Sequence, residues 1–439
     1  MSVRKLLSMS LALALVYSIS LPARAELLKN FKTDGSIETR SFSIDNETDR
    51  NGHVDDYRAE TNFRLMLGGS FDLLDDVHSR ILLGKEGRQS GTTGENLNTV
   101  QNEINVDNAS VKIDKVFGHV DLTVGRQFYG NPDDLVIYFG PNNDDILSIN
   151  SLDLFRADAD IMGLAKIQGI AGKVVDNGVY PAPGVNADAD LWGAEVNTDK
   201  VIPGGNLAAY YYTAQIKKQF YGGLGNNTLI VYGARAAGDI KLIGGLGYKA
   251  EYILNGGRNN GIAPTPATPT GYNGSAYDLG LSYGQDVKAM PVRAKIEYAQ
   301  GSHNFTSINA GRRFGIIWGE QTSLAADPSN VGGVDAPGTG VSNLKVFDGG
   351  VGINPIAKLG IDLNAYRFRY SASASEKTSV GTEYDLIVSW KHSENVSFEV
   401  NAATFQVGDA LQNPSVVAGT TTHNTSPITR LGGDVKIKF

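Results

Sequence analysis

Between Arg58 and Phe71 the chain alternates strictly. Ala59, Thr61, Phe63, Leu65, Leu67, Gly69 and Phe71 share one face; Arg58, Glu60, Asn62, Arg64, Met66, Gly68 and Ser70 share the other. A period of two marks a strand with one apolar and one polar side. The pattern recurs in "VHSRILLGKEG", "PVRAKIEYAQG" and "EYDLIVSWKH". It also ends the chain, where Leu431, Val435, Ile437 and Phe439 oppose Asp434, Lys436 and Lys438. Read along the whole sequence, it predicts strands near 33–44, 57–71, 77–86, 105–113, 119–128, 157–165, 169–176, 190–197, 207–216, 229–237, 239–254, 276–285, 291–301, 344–354, 359–370, 383–391, 396–406 and 428–439.

A soluble sandwich also alternates, so the connections decide the class. They come in strict rotation, long then short, giving nine long loops and eight short turns with both termini on the short-turn side. This sorting, with an even number of strands, predicts a single transmembrane antiparallel β-barrel of about 18 strands. The hairpin at 157–176 alternates worst, and without it the count is 16. In lipid every backbone N–H and C=O must be paired internally, so strands cross only as a closed barrel. The apolar faces then meet acyl chains and the polar faces line a lumen. Phe439 falls in the aromatic girdle at the short-turn interface.

The first 25 residues read differently. Arg4 and Lys5 precede an apolar run to Ile19, and Ala23-Arg24-Ala25 has the small-x-small form of a cleavage site. This is a secretory signal peptide, leaving residues 26–439 as the barrel. Without Arg4, Lys5 and Arg24 there remain 36 basic against 47 acidic side chains, a net −11. That balance excludes a nucleic-acid partner, which needs a basic stripe. The chain has no cysteine. No apolar run of about 18 residues follows the signal, so no helix is expected to span.

An 18-stranded barrel is wide enough for a water-filled channel. Parity points Arg58, Arg64, Arg80, Arg293, Lys295 and Glu297 into it. These charges either brace the wall as cross-strand pairs or, in the arginines, form a ladder for anionic solutes. Tyr210, Tyr212, Tyr366 and Phe368 also point inward; they are either wall or a stacking slide. The third long loop, "YGNPDDLVIYFGPNNDDILSINSLDLF", carries an apolar run that needs burial. Folded inward, it would place Asp133, Asp134, Asp144 and Asp145 at the constriction. The first loop, "DNETDRNGHVDD", sets Glu47, Asp49, Asn51 and Asp55 at calcium-loop spacing but lacks the closing glutamate. Its two readings are a solvated acidic loop and a cation site bridging to lipopolysaccharide phosphates.

Three stretches, "HVDLTVGRQ", "GINPIAKLGIDLNAYRF" and "GTEYDLIVSWKHSENVSFEVNAATFQVGDAL", resemble the alginate-export family of outer-membrane barrels and its porin relatives. The resemblance covers about a quarter of the chain. It implies an 18-stranded barrel in the bacterial outer membrane, recognised by the assembly machinery through its terminal Phe439. That family's exporter has an arginine-rich lumen; here the inferred lumen is mixed. The expectation is a porin for passive diffusion of small hydrophilic or charged solutes, without a cofactor. The alternatives are an export conduit for an anionic polysaccharide and a non-conducting surface or structural barrel. Homo-oligomerisation is left open. An enzyme is not expected: the six histidines are scattered, with no HExxH or GxSxG. "GLGYKA" falls inside an expected strand, where a dinucleotide fingerprint has no helix to open.

Overall fold

A computed structural model describes residues 29–47, 57–91, 104–142, 146–147, 149–175, 189–216, 227–259, 270–287, 290–320, 340–373, 376–411, 414–417, 420–423 and 425–439. Eighteen strands form the wall. They are β1 (Lys29–Asp45), β2 (Arg58–Leu74), β3 (Val77–Gly91), β4 (Asn105–Val116), β5 (Val120–Gln127), β6 (Leu152–Ile161), β7 (Ala165–Val175), β8 (Ala189–Thr198) and β9 (Gly205–Ile216). There follow β10 (Asn227–Asp239), β11 (Leu246–Asn259), β12 (Ser275–Val287), β13 (Met290–Gly301), β14 (Leu344–Ile356), β15 (Leu359–Tyr370), β16 (Ser379–Lys391), β17 (Val396–Val407) and β18 (Ile428–Lys438).

Each strand pairs antiparallel with its sequence neighbours. The sheet closes where β1 meets β18, from Ser36 opposite Lys438 to Asp45 opposite Thr429. Closure removes the free edge that lipid could not satisfy. The terminal residue is part of this seam: the Phe439 N–H donates to the Gly35 carbonyl (3.1 Å) and the Gly35 N–H to the Phe439 carbonyl (2.8 Å). A Cβ on Gly35 would stand 2.7 Å from the Phe439 ring, so only glycine lets the ring lie flat there. Among the described residues no helix is long and apolar enough to cross a membrane; the strands do the crossing.

The strand count and the alternation of long and short connections match expectation, but two turns lie elsewhere. The β6–β7 hairpin turns at 162–164, not 166–168. Met162 (φ 55°) and Gly163 (φ 71°) adopt the left-handed region, and the Gly163 N–H donates to Asp160 (2.6 Å). The turn is hidden in sequence because Ile161, Met162 and Leu164 are apolar at a membrane interface. Likewise β10 runs on to Asp239 and turns through 240–245. Lys241 therefore lies in a turn.

Alternation sets the two faces. Along β2, Glu60, Asn62 and Arg64 are buried toward the inside while Leu67 is exposed outside. The interior is filled from the long-loop rim by residues 128–142 and 149–151 of the third loop and by residues 302–320 and 340–343 of the seventh, the latter holding one short helix, α1 (Ile316–Glu320).

Candidate pore constriction

The run Leu135-Val136-Ile137 is at most 1% exposed, and Tyr129 and Phe139 are buried with it. Burying such side chains contributes at most roughly 1.5–3 kcal/mol each. They rest on inward-facing Leu229, Val231, Tyr210 and Tyr212 in one apolar cluster. An irregular segment inside a barrel must still satisfy its peptide groups, and the seventh loop does this. The N–H groups of Ile308 and Asn309 donate to the Val136 carbonyl (3.0 and 3.1 Å), and those of Gly311 and Arg312 to the Asp134 carbonyl (2.9 and 3.1 Å). The Tyr138 N–H donates to the Asn309 carbonyl (2.7 Å). The two loops thus form a single layer inside the lumen.

Two arginines pin that layer. Asp134 accepts the Val136 N–H (2.7 Å) and a guanidinium N–H from Arg235 of β10 (2.6 Å). Arg235 also donates to Glu195 of β8 (2.5 Å) and lies over the Tyr210 ring. Asp133 pairs with Arg312 of the seventh loop (3.0 Å), and Arg312 continues to Glu297 of β13 (2.8 Å). Lys249 of β11 joins Asp278 (2.7 Å) and Glu297 (2.9 Å). Burial lowers the pKa of Arg312, but Glu297 and Asp133 outweigh it and raise the pKa, so the group stays charged. A cavity of about 350 Å³ is left between layer and wall. It is lined by Asp133, Asp134, Glu251 and Asp278 and by Arg235, Lys249 and Arg312. Four carboxylates face three cations, and the Asp133 side chain is 74% exposed.

The α1 segment of the seventh loop is anchored on β16. Glu383, fully buried, accepts the backbone N–H groups of Ile317 (2.5 Å) and Trp318 (3.0 Å), and Asp385 accepts that of Ile316 (3.1 Å). A carboxylate suits the free N–H groups of a first helical turn. Gly315 (φ +74°) makes the approach possible, since a Cβ there would stand 2.6 Å from the Glu383 carboxylate. Trp318 then stacks on Phe368 (5.1 Å) and Phe405 (6.2 Å).

The four arginines singled out from sequence do not converge. Arg58 pairs with Glu47 and Glu60. Arg64 pairs with Glu38 (2.8 Å) and donates to the Asn142 carbonyl (2.5 Å). Arg80 pairs with Asp34 (2.7 Å) and Arg293 with Asp362 (2.6 Å). Lys295 pairs with Asp348 (2.7 Å), while Glu297 joins the Arg312 network. Tyr210, Tyr212, Tyr366 and Phe368 face inward, buried beneath the loop layer. Asp144, Asp145, Asp49, Asn51 and Asp55 lie outside the described residues; Glu47, of the same loop, binds Arg58. Among the described residues no cluster of histidines and carboxylates is arranged to hold a metal.

Sequence reading missed Arg235, Arg312 and Glu383. Arg235 follows inward-facing Leu229 and Val231, which are apolar because they meet the loops and not lipid, so the polar-inside rule fails there. Arg312 lies in a loop, where parity says nothing. The odd parity of Glu383, shared with Asp385, was the one usable signal.

The family model for alginate export matches residues 186–422, more than half of the chain. No curated protein matches. Among solved structures, the outer-membrane protein OprD from Pseudomonas aeruginosa superposes with a TM-score of 0.57 at 12% identity, covering 94% of this chain and 94% of that one. Pseudomonas aeruginosa OccK8 (OprE) gives 0.55 at 12% identity, covering 94% and 99%. OccAB1 of Acinetobacter baumannii gives 0.54 at 11% identity, covering 93% and 97%. At such identities the shared property is the fold.

Proposed function

This chain belongs to the alginate-export family, and we propose that it is an outer-membrane channel through which small hydrophilic or charged solutes diffuse passively. The observation that carries this reading is the charged cavity beside the third- and seventh-loop layer. A lumen narrowed by a folded-in loop and lined by both signs of charge selects by size and local field. With four carboxylates against three cations, and Asp133 the most exposed of them, the channel favours cations. Passage needs no cofactor and no catalytic step.

Export of an anionic polysaccharide is the second reading, favoured by the family match. Against it, Arg64, Arg80 and Arg293 are each held by a carboxylate of the wall, leaving no continuous cationic track among the described residues. A non-conducting surface barrel is the third. Phe439, hydrogen-bonded into the closing seam, is the handle for the assembly machinery, and lipopolysaccharide surrounds the long-loop rim.

Swelling of liposomes containing the refolded mature chain separates the three. Uptake of small sugars and amino acids, faster for cationic ones, is the expected result. Uptake of acidic oligosaccharides alone would favour the conduit, and no swelling from a correctly folded barrel would leave the surface role.

A further inference from the structure

Outside the barrel, just below the long-loop rim, three cations lie together. Lys345 is the second residue of β14; Arg369 stands opposite it on β15, and Arg367 stands opposite Phe347 one step deeper. All three share the outward parity of exposed Phe347 and Leu363. Together with Tyr298 and Thr378 they line a groove of about 630 Å³. Among the described residues none of them has a carboxylate partner; Arg369 donates only to the Thr378 hydroxyl (3.1 Å). The lumen treats its charges oppositely, and on the outer wall Arg126 has Asp153 at 3.6 Å.

Charged side chains on a lipid face are tolerated near the interface and disfavoured deeper, and Tyr298 and Phe347 place an interfacial aromatic belt at this height. Directly beneath, on β13 to β17, small outward residues open an apolar trough of about 790 Å³ along Ile296, Gly349, Val351, Ala365, Leu386 and Ala402. Phe347 lines both, so the two adjoin. A basic groove at headgroup level above an apolar trough at acyl-chain level matches one kind of ligand.

We propose that this outward face is a binding site for a phosphorylated, acylated glycolipid of the outer leaflet, the phosphate on Lys345, Arg367 and Arg369 and one acyl chain in the trough. The proposal rests on the outer-membrane reading, which puts the long-loop rim in that leaflet, but not on conduction. Guanidinium groups recognise phosphate with paired N–H donors.

The test is native mass spectrometry of the full mature barrel in detergent, titrated with diphosphorylated lipid A, its dephosphorylated form, or a zwitterionic phospholipid. Each cation near a charged lipid surface accounts for about fivefold in affinity. We expect R367Q/R369Q to weaken lipid A binding roughly 25-fold, with single-channel conductance unchanged because both residues lie outside the lumen. Equal binding of the dephosphorylated form, or undiminished binding by a variant that still conducts, would overturn the proposal. A barrel that retains phosphate-selective binding but fails to conduct would uphold the site and reject the channel reading alone.

Discussion

Arg235 and Asp134 stand 2.6 Å apart although one is built into the wall on β10 and the other into a loop 101 residues earlier. This pair, with Arg312 and Asp133, fixes the position of the third loop. A folded-in loop without such ties would be one of several conformers, and the cavity beside it would have no constant size.

Replacing Arg235 by Ala should therefore widen the channel and unsteady it. It leaves Asp134 nearly buried and without its guanidinium partner, and breaking a buried pair from one side costs about 3–5 kcal/mol. We expect larger unitary conductance with added flicker in planar bilayers. Unchanged amplitude and noise would mean that the pair does not hold the loop.

Asp133 is the exposed carboxylate of the cavity, so Asp133→Asn should reduce cation preference, while Asp134–Arg235 and the backbone bonds to the seventh loop keep the third loop in place. Two charges at about 4 Å in water interact by about 1 kcal/mol, which bounds the effect near fivefold. The reversal potential under a salt gradient should move toward zero. Arg312→Gln should move it the other way.

The seventh loop hangs on Glu383. Glu383→Ala removes the acceptor of the Ile317 and Trp318 N–H groups, at about 1–3 kcal/mol, and should release Trp318 from Phe368 and Phe405. Compared with the parent protein, tryptophan emission should shift to longer wavelength and become open to acrylamide. The more conservative Glu383→Gln, which keeps one acceptor oxygen, should show less of both.

Arg64 and Glu38 are both almost fully buried at 2.8 Å, with Lys436 at 3.2 Å from the same carboxylate. Arg64→Met should lower resistance to unfolding by about 3–5 kcal/mol, because Glu38 is left inside with weaker compensation. The heat needed to shift the folded band on a semi-native gel reads this directly. Arg80→Met, whose pair with Asp34 is far more exposed, should change little.

Much of the barrel was legible in the sequence because a lipid-facing wall enforces period two wherever it touches acyl chains, as at Phe63, Leu65 and Leu67. The rule weakened at two kinds of place. At the short-turn rim, Met162 and Leu164 are apolar in a turn, next to apolar Ile161 at the end of β6, because the membrane interface lies there. On the inner wall under the loops, Leu229, Val231 and Ile253 are apolar inside, because the loops and not water cover them. The site suffered more than the fold: Arg235 is masked by that second effect, and Arg312 and Glu383 meet the third loop and α1 only through tertiary contact. The apolar run of Leu135 to Ile137 was readable, since it needs burial wherever it lies.

On the channel proposal, the loop layer narrows the lumen without closing it. Single-channel recording of refolded residues 26–439 in a planar bilayer under a salt gradient tests this. We expect a steady open pore with a reversal potential of cation-selective sign that moves toward zero in Asp133→Asn. A correctly folded barrel that passes no current, or one with firm anion selectivity, would contradict it.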